Sequence, residues 1–304
     1  MPHYENEPTV DETVTAGDWR DELFRDGYVV VKGVLSDQKA QSYVDGMFQW
    51  LESFPYGFKA DDVSKWGEKY LPTHINEPAI IQAFAKLWGT NKLLVSFDGM
   101  NLTLPAADMA PSDPWPHVDQ SPNRKGMQCV QGILNLAPNG PEDGGLVVLQ
   151  GSHKLNEEFF KAHPGLKDRP TWGPADWFGF ANEEVAWFEQ RGCTQRKVCA
   201  DPGDLILWDS RTIHYNVVPS SRNVRAVMYV CYTPAAFASQ DDLEKKATYF
   251  HQRLGTTHWP HANIFHQEDK KLRLGKPDTY SRFRPVQEPE ESELILRLAG
   301  VVAY

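Results

Sequence analysis

In the stretch WPHVDQSP, Trp115 to Pro122, a histidine stands two residues before an aspartate, with proline on both sides. Pro116 and Pro122 oppose a helix here. In an extended segment, residues i and i+2 point to the same side. His117 and Asp119 then project together, as an imidazole and a carboxylate must if they share a metal ion. The same pair can equally be a buried hydrogen-bonded couple with no metal. A metal site needs at least one more ligand from another strand. His214 is the best candidate, because a turn and an apolar strand, DPGDLILWDSRTIH, lead up to it. Arg225 follows eleven residues later and opens the next apolar strand.

The elements that must carry these residues are short strands. Apolar or alternating segments recur at 93–97, 127–136, 146–149, 194–199, 205–208 and 225–233, separated by turn signals such as PNGPEDGG and DPGD. Such a series predicts a sandwich or jelly roll. Ahead of it, Tyr28 to Val31 reads as a β-branched strand. Ser36 reads as an N-cap, followed at helical spacing by Ala40, Tyr43, Val44, Met47, Phe48 and Leu51. A second helix is expected from near Asn76 to Gly89, with Ile80, Ile81, Phe84 and Leu87 on its apolar face. SQDDLEKKATYFHQRLG predicts a helix after the last strand, capped by Ser239.

Residues 1–16 read as a flexible tail and 17–304 as one domain, with an aromatic-rich insertion at 155–192 and a helical or irregular extension at 239–304. The net charge of −10 argues against a nucleic-acid partner. No apolar run approaches the roughly 18 residues of a membrane span, and the polar N-terminus lacks the features of a signal peptide. Four cysteines without a CxxC pair do not suggest a disulfide framework. The expectation is a cytoplasmic protein, monomeric or homodimeric.

Together, the His-x-Asp, the distant histidine and the downstream arginine resemble the iron(II)/2-oxoglutarate-dependent dioxygenases, and within them the phytanoyl-CoA dioxygenase-like family. FRDGYVVVKGVLSDQ resembles that family's N-terminal strand and helix start. DGGLVVLQGSHK resembles its Gly-Ser-His hairpin, and GDLILWDSRTIH the strand leading to its distal histidine. The resemblance implies a mainly β protein with flanking helices, built on a double-stranded β-helix of the jelly-roll, cupin-like kind. It implies His117, Asp119 and His214 as ligands of Fe(II), the facial triad of non-haem oxygenases. It implies Arg225 as anchor for the 5-carboxylate of the cosubstrate 2-oxoglutarate, since a guanidinium offers an always-charged two-pronged donor. Arg222 is the alternative if the strand register is shifted. An aspartate at 119 also speaks against halogenation.

The implied reaction oxidises an unactivated C–H bond of a small molecule with O2, by hydroxylation, desaturation or oxidative cyclisation, in secondary metabolism, with release of succinate and CO2. Two competing readings use the same scaffold: a non-oxidative metal-dependent hydrolase or isomerase, and a catalytically silent binding protein. Gln131 either touches 2-oxoglutarate or satisfies the core. His153 in GSHK reads as structural. Arg124 and Lys125 either meet an anionic substrate or form a solvated turn. Trp172, Trp177 and Phe178 either line the substrate pocket, on a lid, or pack an extra helix. His251, His258, His261 and His266 read as solvated or hydrogen-bonding residues rather than a second metal site.

Overall fold

Helix and strand boundaries follow local chemistry in the computed structural model, which describes residues 10–53, 77–104, 113–166, 176–266, 272–273, 276–277, 284–285 and 287–304. In chain order the elements are α1 (Trp19–Asp26), β1 (Tyr28–Val31), α2 (Asp37–Glu52), α3 (Pro78–Trp88), β2 (Leu93–Val95), β3 (Met100–Thr103) and β4 (His117–Val118). Next come β5 (Val130–Asn135), β6 (Gly145–Gln150), α4 (Asn156–Ala162), β7 (Phe178–Gly179), α5 (Asn182–Glu189) and β8 (Thr194–Lys197). The last are β9 (Leu205–Asp209), β10 (His214–Val217), β11 (Arg225–Pro234), α6 (Gln240–Gln252) and α7 (Glu293–Leu298). Ser36 caps α2 by accepting from the Lys39 amide, and Ser239 caps α6 by accepting from that of Asp242. α3 begins with Pro78 and ends at left-handed Gly89.

Residues 272–273 pair with 276–277 as a separate two-stranded sheet, and strands β1 to β11 form two antiparallel sheets. One has the order β1-β9-β5-β11-β2, with β3 also on β11, and the other β7-β4-β10-β6-β8. This is the expected jelly-roll arrangement with helices outside. Side-chain alternation divides the apolar residues into layers. Ala226, Met228, Val230 and Tyr232 of β11 join Leu205, Leu207 and Leu134 against the helices. The opposite face of the same sheet sends Ile133, Ile206, Trp208 and Val227 inward, where they meet Leu146 and Val148 of the second sheet. Behind the second sheet lies another cluster, in which Val118, Leu149 and Ile213 pack on Phe159, Phe160, Phe178, Phe180 and Phe188.

Several short elements escaped sequence reading. β7 is two residues long, too short to produce a period. The described residues of the insertion form α4, β7 and α5 around that phenylalanine cluster. Residues 10–16 depart from the expected flexible tail, because Glu12 holds Arg211 at 2.7 Å and Asp21 accepts from the Ala16 and Gly17 amides. All four cysteines are free. No described helix is long and apolar enough to cross a membrane.

Candidate metal centre

Two adjacent strands bring the histidines together. His117 of β4 is the direct cross-strand partner of His214 of β10. Asp119 continues just past β4, its amide donating to the Ser210 carbonyl at 3.0 Å. The i, i+2 reading of His-x-Asp holds: Asp119 Oδ2 lies 3.6 Å from His117 Nε2 and 3.2 Å from His214 Nε2. Ligand bonds of about 2.1 Å meeting at right angles put neighbouring donor atoms about 3 Å apart, so this spacing suits three adjacent corners of one coordination shell. Among the described residues, this is the one cluster of three such donors close enough to share an ion.

Backbone carbonyls set the tautomers. His117 Nδ1 lies 3.1 Å from the Trp115 carbonyl and His214 Nδ1 lies 2.9 Å from that of Thr212. Each Nδ1 must donate there, which leaves each Nε2 lone pair for a metal. Burial lowers the pKa of His214 and favours the neutral, ligating imidazole. Burial alone would raise Asp119, yet the surrounding imidazoles of His258, His117 and His214 hold it well below the usual carboxylate range. Gln131 Nε2 donates to Asp119 Oδ2 at 2.8 Å and reaches Ser210 Oγ at 3.3 Å. Gln131 therefore braces the carboxylate, a more definite position than either sequence reading gave it.

The turn before His214 is built from sequence-visible parts. Thr212 N donates to the Asp209 carbonyl and Arg211 N to Asp209 Oδ1, both at 2.8 Å. The GSHK segment grips this turn: Ser152 Oγ accepts from Ile213 N at 2.8 Å, and His153 Nε2 lies 3.1 Å from the Phe24 carbonyl. His153 is structural, as expected. Gly27 sits beneath it at φ 83°, where an added Cβ would lie 2.6 Å from His153 Nδ1 and 2.5 Å from Thr212 Oγ1.

Arg225 opens β11 on the inward face, opposite Thr103. It is buried, with Nη1 donating to Asn101 Oδ1 at 2.8 Å. Its Nε and Nη2 have no partner among the described residues. A buried guanidinium edge left bare costs free energy unless a ligand fills it, and this edge matches a carboxylate. Gly145 leaves the room: an added Cβ there would lie 2.8 Å from Arg225 Nε. Arg222, the alternative, is exposed.

The remaining expected residues divide. Trp177 is 36% exposed, and its ring lies 5.9 Å from that of His117. Phe178 points the other way, a correction to its placement in the pocket. It pairs with Val118 while Gly179 pairs with His117, so alternation sends Phe178 into the phenylalanine cluster. Trp172 lies outside the described residues. Arg124 is buried rather than part of a solvated turn; its Nε bonds Asp176 and its guanidinium lies 4.6 Å over the Trp259 ring.

Sequence reasoning missed three neighbours of the triad. Trp115 is 46% exposed and stacks on His117 with ring centroids 4.4 Å apart. His258, read as a solvated or hydrogen-bonding tail histidine, lies deep beside the triad and interacts electrostatically with all three of its members. Its Nε2 is buried without a partner among the described residues. Asp98 lies in an irregularity where the five steps from Val95 to Met100 face only four from Tyr232 to Met228, a bulge that aims a side chain inward. Burial raises its carboxyl to about 6, with Asp119 adding to the rise. The His258 signal was a histidine cluster in the sequence; nothing local marked Asp98.

Residues 100–224 match the family model described as Phytanoyl-CoA dioxygenase (PhyH). The chain is 40% identical over 266 residues to Ava biosynthesis cluster protein O of Aspergillus versicolor, covering 81% of this chain and 86% of that protein. Among solved structures it is similar to GlcNAc Inducible Gene 2, GIG2, of Candida albicans. The TM-score is 0.64 at 14% identity, over 96% of this chain and 78% of the other. It is also similar to the epimerase SnoN in complex with Fe3+, alpha ketoglutarate and nogalamycin RO. There the TM-score is 0.50 at 20% identity, over 71% of this chain and 82% of the other.

Proposed function

Because the chain belongs to the phytanoyl-CoA dioxygenase family of non-haem iron(II)/2-oxoglutarate-dependent oxygenases, we propose that it oxidises an unactivated C–H bond of a small molecule in specialised metabolism. The relative of known setting is a biosynthesis cluster protein, which supports that context. The observation that carries the reading is the pairing of a His-Asp-His cluster with a buried, half-unpartnered arginine on inward-facing strands. A non-oxidative hydrolase or isomerase working without 2-oxoglutarate would have no use for that bare guanidinium edge.

His117 and His214 would hold iron(II) through Nε2 and Asp119 through a carboxylate oxygen, with Gln131 fixing the carboxylate. Iron(II) with 2-oxoglutarate and O2 supplies the oxidising power, with succinate and CO2 released. Arg225 would bind the distal carboxylate of 2-oxoglutarate through Nε and Nη2, fixing the cosubstrate's orientation. Ile133, Val148, Ile206 and Trp208 line the interior between the sheets and keep bulk water out. Hydroxylation, desaturation and ring closure all use this machinery, and the substrate's position selects among them.

Adding iron(II) and 2-oxoglutarate without oxygen should produce the weak visible charge-transfer band of the chelate. His117→Ala and His214→Ala should abolish it; wild-type iron affinity and band in both would refute the ligand assignment. A substrate screen scored by succinate release then identifies the reaction. A product gaining one oxygen marks hydroxylation, and one losing two hydrogens marks desaturation or ring closure.

A further inference from the structure

Two indoles and one carboxylate near the triad have no role in holding iron or 2-oxoglutarate. Large exposed aromatics are uncommon on a folded surface and mark binding sites when they cluster. Trp115 and Trp177 are among the few here, and both lie against the ring of His117. Register explains Trp177: it shares a side with Gly179, the partner of His117, and its ring covers Gly179 where a Cβ would lie 2.7 Å away.

Asp98 is deep enough for burial to raise its carboxyl, yet part of its surface stays accessible. Depth with access is the property of a cavity wall. Its one hydrogen bond among the described residues comes from the adjacent Gly99 amide at 2.7 Å, and no described cation pairs with it. His258 combines depth with partial exposure in the same way.

Charge balance then decides the ligand. The two charges of iron(II) and that of Arg225 are matched by Asp119 and the two carboxylates of 2-oxoglutarate. Arg124 is matched by Asp176. Lys246 donates to the Val95 carbonyl, and Asp98 has no ion-pair partner among the described residues; an isolated buried charge is costly. Resting on the oxygenase reading above, we propose that the substrate carries a planar ring and a protonated amine. The ring lies on Trp115 and Trp177, the ammonium pairs with Asp98, and the free nitrogen of His258 hydrogen-bonds a polar atom of the same molecule. Tryptophan faces suit both parts, since they stack on rings and attract cations. An anionic substrate would meet the Asp98 carboxylate instead.

Calorimetry on the protein loaded with iron(II) and 2-oxoglutarate without oxygen tests this with four probes: 2-phenylethylamine, 2-phenylethanol, phenylacetate and propylamine. The ring-bearing amine should bind about ten-fold more tightly than the alcohol, and phenylacetate most weakly. Propylamine should bind far more weakly than 2-phenylethylamine. Asp98→Asn should bring the amine to the level of the alcohol, while Trp177→Ala weakens all three ring probes and keeps their order. Equal affinities for amine, alcohol and acid, or an unchanged amine preference in Asp98→Asn, would overturn the charge assignment. Propylamine matching 2-phenylethylamine would overturn the ring assignment. The chelate band, read on the same samples, separates these outcomes from failure of the oxygenase reading, which would remove the band itself.

Discussion

At the scale of single residues, Arg225 is where geometry makes the sharpest demand. A buried guanidinium with one nitrogen on Asn101 and two bare among the described residues is positioned for a charged partner. Removing one side of such a pair costs on the order of 2–5 kcal/mol. Arg225→Ala should therefore raise the 2-oxoglutarate concentration needed for half-maximal chelate band by roughly 30-fold or more. Iron binding in the absence of the cosubstrate should change little. Arg222→Ala should be mild, because Arg222 is exposed. Gly145→Ala provides an independent check: its Cβ would fall 2.8 Å from Arg225 Nε, at a backbone φ of 91°. It should imitate Arg225→Ala in cosubstrate affinity with the arginine still present. Normal 2-oxoglutarate binding in both variants would place the anchor elsewhere.

At the scale of elements, the two-residue strand β7 separates chemistry from packing. Trp177 and Phe178 are neighbours in sequence and lie on opposite faces. Phe178 is fully buried among Phe160, Phe180 and Val118, with its ring 5.1 Å from Phe160 and 4.9 Å from Phe180. Truncating such a side chain leaves a cavity, so Phe178→Ala should lower stability by about 3–5 kcal/mol. Trp177→Ala should lower it by less than about 1 kcal/mol, since the ring is partly in water. Chemical denaturation measures both, and similar losses would mean that β7 is not held in the register described. The strand's existence was illegible in the sequence. Its flanking aromatics were visible as a group, but which ones face the metal depends on pairing with β4.

At the scale of the whole molecule, α6 and α7 pack on the outer face of the first sheet through Phe250, Ile295 and Leu298 and bring a buried lysine with them. Lys246 of α6 is buried, donates to the Val95 carbonyl and lies 3.9 Å over the Phe97 ring. Burial lowers its pKa to about 7. In the unfolded chain the amine titrates near 10.4, so between about pH 7 and 10.4 the unfolded state binds more protons. Stability from this group therefore rises with pH across that window and is lowest below it. Lys246→Met should remove the rise, a difference on the order of a few kcal/mol between the ends of the window. Parallel pH–stability curves for the two proteins would show that the folded lysine stays charged.

The sequence by itself determined which groups can bind a metal, because His117 and Asp119 need only an extended backbone to share a side. It also determined the strand-rich core, through alternation and Gly/Pro turns, and resembled its family at the residues that form the triad. The Ser36 and Ser239 caps were legible for the same reason: each depends on near neighbours. The tertiary structure alone decided that His258 returns to the triad, that Asp98 faces it from a bulge, and that Arg124 is tied to Asp176 rather than to solvent. It likewise turned Trp177 toward His117 and Phe178 away. These outcomes rest on contacts between residues distant in sequence, and on register. A one-residue slip reverses every side chain in a strand without changing the local pattern that a sequence displays.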